Sequence, residues 1–277
     1  MNSDRHSLFA LASSEPLPNE RLEFYLRLGL TIAILSVVFE TVMDLKGNLQ
    51  FERYHLVAAT IGIVLSCILV PFERTSWAGV GLFVVSIVVY VAAKWAAYHN
   101  HGWLAVWTIP VALAFGEAWW KSEIFRWYLR ATLGIVMLAA CAQKLLAGTY
   151  LDGSFITFLS LYGKTTEHMF SFLCGPDAVN NSCLWHRFIG TFIVIWQAVV
   201  GVLLLLGVRN LLFLFIEISF LLGAGLYADE MNFQVLNIAL LCVAFGYGMR
   251  PWLLIVCVPL LFIDVYSING LISLAFG

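Results

Sequence analysis

Charged side chains are scarce in this chain. Asp, Glu, Lys and Arg make up 12% of it, against about a quarter of a soluble domain. That scarcity excludes an ordinary water-facing surface. The net charge is −2, so there is no basic surplus to hold a nucleic-acid partner. No C-x-x-C pair is present, which removes the usual dithiol motif. The Gly-Lys-Thr at 163–165 lacks the upstream glycine of a phosphate loop. The polar segment 1–20, with Pro16 and Pro18, lacks the apolar core of a cleaved signal peptide.

Apolar length is what the chain does have, with 61% hydrophobic residues. Runs of spanning length occur near 25–44, 54–71, 77–98, 102–120, 127–148, 187–207, 210–228, 232–249 and 251–276. They predict an all-α integral membrane protein, a polytopic bundle of about nine transmembrane helices. Lipid offers an open chain no other way to satisfy its backbone groups. The expected organisation is a polar segment 1–20 and one transmembrane domain over 21–277, with an external loop at 149–186. Within that loop, 153–163 is too short to span and is expected to lie at the interface.

Loop charge sets the orientation. With the N-terminus cytoplasmic, nine cations fall inside: Arg5, Arg21, Arg27, Arg74, Lys121, Arg126, Arg130, Arg209 and Arg250. Four fall outside: Lys46, Arg53, Lys164 and Arg187. The reading is N-in and C-out, in a bacterial inner membrane. The external loop then carries Cys174 and Cys183, and two cysteines in an oxidising compartment predict a structural disulfide. A redox-active pair serving a quinone is the alternative. Cys67, Cys141, Cys242 and Cys257 lie singly in apolar helices and read as packing residues.

An ionisable residue inside hydrocarbon is a functional candidate by default. The apolar run that begins at Ala78 ends in Lys94, and KWAAYHNHGWL follows it. Lys94, His99, His101, Lys144, Glu40, Asp44, Asp229 and Glu230 all fall at the external level of this topology. Trp95, Tyr98 and Asn100 surround the first lysine. Snorkelling lysines, an interfacial aromatic belt and structural ion pairs are the bland account of the same residues. The sharper account is acid–base chemistry. Burial of a lysine favours its neutral amine, and a neutral amine accepts a proton from a phenol-like hydroxyl such as that of a quinol. The histidines then relay or position. No metal is predicted, because residues two apart such as His99 and His101 do not share a helix face.

Three stretches carry a resemblance. They are KWAAYHNHGWL from Lys94, RATLGIVMLAACAQKLLAGTYLDG from Arg130, and the helix pair from Arg209 to Leu241. In that order they resemble the membrane domain of vitamin K-dependent gamma-carboxylases and their bacterial relatives, the horizontally transferred transmembrane (HTTM) proteins. The resemblance covers roughly residues 20–250. Tyr150 stands where the family usually has Trp, and Glu217 and Ser219 stand where it usually has a histidine. The resemblance implies a quinol or quinone of the vitamin K type as cofactor and Lys94 as the base that deprotonates it. From their own placement His99, Trp95, Tyr98, Glu40 and Asp229 join the expected site, the last four lining the quinone pocket. The resemblance places Asn100 and His101 beside the base and makes Lys144 the family's helix lysine, structural or lining the same cavity. It also implies a protein partner supplying the large luminal domain that the carboxylases carry, besides the lipid bilayer itself. A non-catalytic membrane subunit or assembly factor is the second expectation. A quinone-linked thiol oxidoreductase of the DoxX or MauE kind, using Cys174 and Cys183, is the third.

Overall fold

A computed structural model describes residues 19–47, 54–95, 100–162, 164–175, 181–228, 230–246 and 254–265. Among these residues every regular element is helical. The elements are α1 (Asn19–Gly47), α2 (Tyr54–Leu69), α3 (Glu73–Lys94), α4 (Asn100–Thr108), a 3-10 stretch (Ile109–Lys121), α5 (Glu123–Ala147), α6 (Ser154–Tyr162), α7 (Lys164–Cys174), α8 (Leu184–Leu205), α9 (Leu211–Ala228), α10 (Met231–Phe245) and α11 (Cys257–Val265).

Among the described residues five helices are long and apolar enough to cross a membrane: Leu22–Val42 within α1, then α3, α5, α8 and α9. Two shorter apolar helices, α2 and α10, have 16 and 15 residues. At 1.5 Å per residue these are about 24 Å and about 22 Å long, short of a hydrocarbon core of about 30 Å. The expected span at 102–120 is divided. Pro110 removes a backbone donor after α4, the chain tightens into the 3-10 stretch, and Gly116 leaves helical geometry at φ +70°. The expected span at 251–276 lies largely outside the described residues.

Exposure identifies the solvent. On α2 the outward residues are Val57, Ile61, Leu65 and Ile68, whereas Thr60, Gly62 and Ser66 face inward. On α8, Phe188, Phe192, Ile195, Val199 and Val202 are exposed, whereas His186, Gly190 and Gly201 are buried. Large apolar side chains also fill the inner faces, such as Ile63 and Leu204, but a continuous outward row of them, with polar groups inside, is the pattern of a helix solvated by lipid.

The chain divides into two compact units. The first comprises 1–129, 209–222 and 231–277; the second comprises 130–208 and 223–230. In the first unit α2 and α3 form an antiparallel hairpin joined at Val70-Pro71-Phe72. Small residues allow the close approach. A Cβ added at Gly79 would stand 2.9 Å from the Val70 backbone nitrogen. The hydroxyl of Thr75 secures the link by donating to the Leu69 carbonyl at 2.8 Å. α10 is buried from Gln234 to Phe245 without a break, as a helix apolar on all sides must be. It runs antiparallel to α1. The Ser36 hydroxyl reaches both the Asn232 carbonyl at 2.6 Å and the Asn232 side-chain oxygen at 2.7 Å, while Gly29 meets Val243 a few turns away.

In the second unit α5 and α8 run antiparallel and cross through a glycine pair. A Cβ on Gly134 would lie 2.9 Å from the Gly201 carbonyl oxygen, and one on Gly201 would lie 3.0 Å from that of Gly134. This is the small-residue contact on which lipid-embedded helices rely. Beside it, Ile156 of α6 and Phe170 of α7 nucleate a cluster with Phe155, Leu159, Met169, Leu173, Ile189 and Ile193. The interfacial segment expected at 153–163 is α6, nine residues long.

Candidate functional site

Contacts at the starts of two helices place the expected residues of the first unit. The Trp119 indole N–H donates to Ser76 near the start of α3 at 3.3 Å, and the next residue, Trp120, meets Arg27 near the start of α1, so the N-terminal ends of α1 and α3 lie together. The C-terminal ends of α1 and α3 therefore point the same way. Glu40 is half-buried near the first of these ends, and Lys94, also half-buried, is the last residue of α3. Trp95 follows it, 70% exposed, and its ring meets that of Trp103 edge-on at 5.1 Å. Trp103 lies 6.4 Å from Trp107 along α4. Asn100 and His101 occupy the first turn of α4, but their side chains lie outside the description. Tyr98, His99 and Asp229 lie outside the described residues altogether.

Lys144 belongs to the second unit. It stands in the last turn of α5, with its amine 5.1 Å from the centre of the Tyr150 ring. Phe155 also stacks on the Tyr150 ring, at 4.4 Å. Burial, helped by the negative charge of Glu230, pushes the Tyr150 hydroxyl well above the ordinary phenol range. The hydroxyl therefore remains protonated at neutral pH.

Asp152 sets the turn after it. Its carboxylate accepts the Ser154 backbone N–H at 2.8 Å. This bond, then the Ser154 side chain and the Arg187 charge, holds its pKa below the usual carboxylate value. The folded pKa is thus below the unfolded one, so the contribution is present above about pH 4. It is lost as pH falls through the lowered folded value. Thermal melts of the wild type in detergent at pH 6 and pH 3 should show this loss. Asp152→Asn should flatten the difference, and an unchanged difference would reject the assignment.

Cys174 and Cys183 form the expected disulfide, with their Cα atoms 6.0 Å apart. Beside it stands His186, fully buried at 0% exposure, a residue that sequence reasoning passed over. Its Nδ1 accepts the Cys183 backbone N–H at 3.2 Å and lies 3.0 Å from the Thr157 hydroxyl. Phe170 packs on the ring at 4.2 Å. The Cys183 sulfur accepts the His186 backbone N–H in return, closing a capping box at the start of α8. The three-residue spacing from Cys183 to His186 was the available signal, since N-cap and N3 positions pair in this way. The two sulfurs and a His186 ring nitrogen all lie within 4.8 Å of one another. With the sulfurs bonded to each other, they are not available as thiolate ligands.

At the opposite end of the first unit lies a basic cluster. Glu23 pairs with Lys121 at 3.3 Å. Arg126 donates from Nε to Glu123 at 3.0 Å and from Nη1 to the Trp120 carbonyl at 3.2 Å. Arg209 pairs with Glu123 as well. One turn after Glu23, Arg27 is only 7% exposed, with its guanidinium carbon 4.8 Å from the centre of the Trp120 ring.

No protein-family model, curated protein or solved structure matches the chain.

Proposed function

We propose that this chain is a gamma-carboxylase-like (HTTM) multi-pass membrane protein that binds a quinol or quinone at the external end of its first unit, with Lys94 as the base. The proposal includes nine passes with the N-terminus cytoplasmic, in a bacterial inner membrane. The passes would be α1, α2, α3, α4 with its 3-10 continuation, α5, α8, α9, α10 and the segment containing α11.

The observation that carries the reading is the meeting, at one end of the first unit, of a helix-terminal lysine with a tryptophan pair. Those residues fit a quinone ring. The Trp95 and Trp103 rings provide an apolar, polarisable surface, and the half-buried Lys94 provides an amine at its edge. A bound quinol supplies two electrons and two protons. The chain's part is to seat the ring against the tryptophans, to take a phenolic proton at Lys94 Nζ, and to pass it toward water by way of His99 and His101. Lys144, packed on Tyr150, serves the second unit as a held cation.

The test is direct. Purified protein should carry extractable quinone. Lys94→Ala should bind added quinol about tenfold more weakly, as loss of one hydrogen bond to a polar ligand predicts. Lys94→Arg should retain binding but lose proton transfer, because a guanidinium does not give up its proton. Normal binding and turnover in Lys94→Ala would overturn the assignment and favour a non-catalytic subunit.

A further inference from the structure

The first unit buries hydrogen-bond donors that have nothing to donate to. Arg27 lies on α1, two turns in from Asn19, and both its Nε and its Nη1 are buried without a hydrogen-bond partner. The Nε1 of Trp120 is also buried and unpartnered, in a residue 4% exposed. These groups belong to one local assembly, since the guanidinium sits over the Trp120 ring.

The carboxylates nearby are committed elsewhere. Glu23, four residues before Arg27 and on the same helix face, bonds Lys121. Glu123 takes Arg126 and Arg209. The aromatic face attracts the guanidinium charge, but a ring face leaves in-plane N–H groups unsatisfied. A buried cation with idle donors is costly to keep, and in natural proteins such groups have an acceptor. The unpartnered atoms of this assembly, Arg27 Nε and Nη1 and Trp120 Nε1, are all donors. The missing partner is therefore an acceptor, and beside a guanidinium it is an anion.

Geometry narrows the anion further. A guanidinium presents parallel donors that match two oxygens of one tetrahedral or planar oxyanion. The site lies among Lys121, Arg126 and Arg209 at the basic end of the first unit, where anionic headgroups gather in a cytoplasmic leaflet. From these observations we infer that Arg27 and the indole N–H of Trp120 form a binding site for a phosphate oxyanion, borne by a lipid headgroup or free in solution.

The probes are short-chain phosphatidylglycerol, the matching diacylglycerol without phosphate, and inorganic phosphate, each titrated into the detergent-purified full chain while its melting temperature is followed. Phosphatidylglycerol should raise the melting temperature of the wild type and diacylglycerol should not. Inorganic phosphate producing the same rise identifies free phosphate as a sufficient ligand; a rise with the lipid alone identifies the headgroup source. Arg27→Met should weaken the apparent affinity at least about tenfold, as loss of a charge-assisted hydrogen bond predicts. Should that variant fail to fold, Trp120→Phe keeps the ring, removes only the N–H, and should still weaken the response. Failure of both phosphate probes to shift the wild type would overturn the site. So would an unchanged response in both Arg27→Met and Trp120→Phe.

Discussion

Replacing Gly190 by alanine is expected to destabilise the second unit by about 3 kcal/mol or more, the upper end of what overpacking costs. The added Cβ would collide with the Tyr150 carbonyl oxygen and stand 2.9 Å from its carbonyl carbon. Backbone atoms cannot rotate out of the way as a side-chain tip can. Nor is the Tyr150 segment free to shift, because its ring contacts both Phe155 and Lys144 and Phe155 N–H bonds the Thr149 carbonyl at 2.9 Å. The same turn also meets α8 at Gly153, whose φ is +81° and whose Cβ would lie 2.9 Å from the Arg187 nitrogen. Gly223→Ala is the control. It belongs to the same unit and a Cβ there meets nothing within 4 Å, so helix propensity alone predicts a gain of about 0.5–1 kcal/mol. Denaturation midpoints in mixed micelles compare the two. Equal midpoints for wild type and Gly190→Ala would refute the close contact between Tyr150 and α8.

Breaking the Cys174–Cys183 bridge is expected to cost about 2–3 kcal/mol, the loop-closure value for a short ring. Their sequence separation is 9. Two variants separate the cross-link from the helix cap. Cys174→Ala removes the bridge and leaves Cys183 to accept the His186 N–H. Cys183→Ala removes both, and should cost about a further 0.5–1 kcal/mol for the lost cap. A chemical reductant should reproduce the first variant and add nothing to either. Equal stability of Cys174→Ala and wild type would rule out a structural staple. Mass-spectrometric mapping of the bridge during exposure to quinol and quinone addresses the rival use of this pair. Interconversion with free thiols there would make it a redox centre of the thiol oxidoreductase kind.

The legible part of this protein was its solvent and its helices. Apolar runs near 25–44, 77–98, 127–148, 187–207 and 210–228 overlap the five helices long enough to span. Such length is a one-dimensional property that composition alone reveals. The bridge was legible as well, since two cysteines nine residues apart in a polar loop are close in any compact arrangement. Lys94 at the end of its helix followed from where the apolar run stops. The broken course of 102–120 was harder to read, because that segment is apolar throughout and only Pro110 and Gly116 mark its tightening and turn.

Other features depended on contacts distant in sequence. Whether a histidine lies in water or in the core depends on what packs over it. The sequence drew attention to His99 and His101 near a lysine, whereas among the described side chains it is His186 that is fully buried, enclosed by Thr157 and Phe170 from two other helices. Arg27 looked like one more cytoplasmic charge, counted for orientation. Tertiary packing buries its donors and brings Trp120, 93 positions later in the chain, against its guanidinium, which turns a topological charge into a candidate anion site. Sequence by itself determined that these helices live in lipid, because hydrophobic length and charge scarcity are sums over residues. Tertiary structure alone decided which polar groups are buried and which are left wanting a partner, because burial and hydrogen bonding are properties of pairs brought together by the fold.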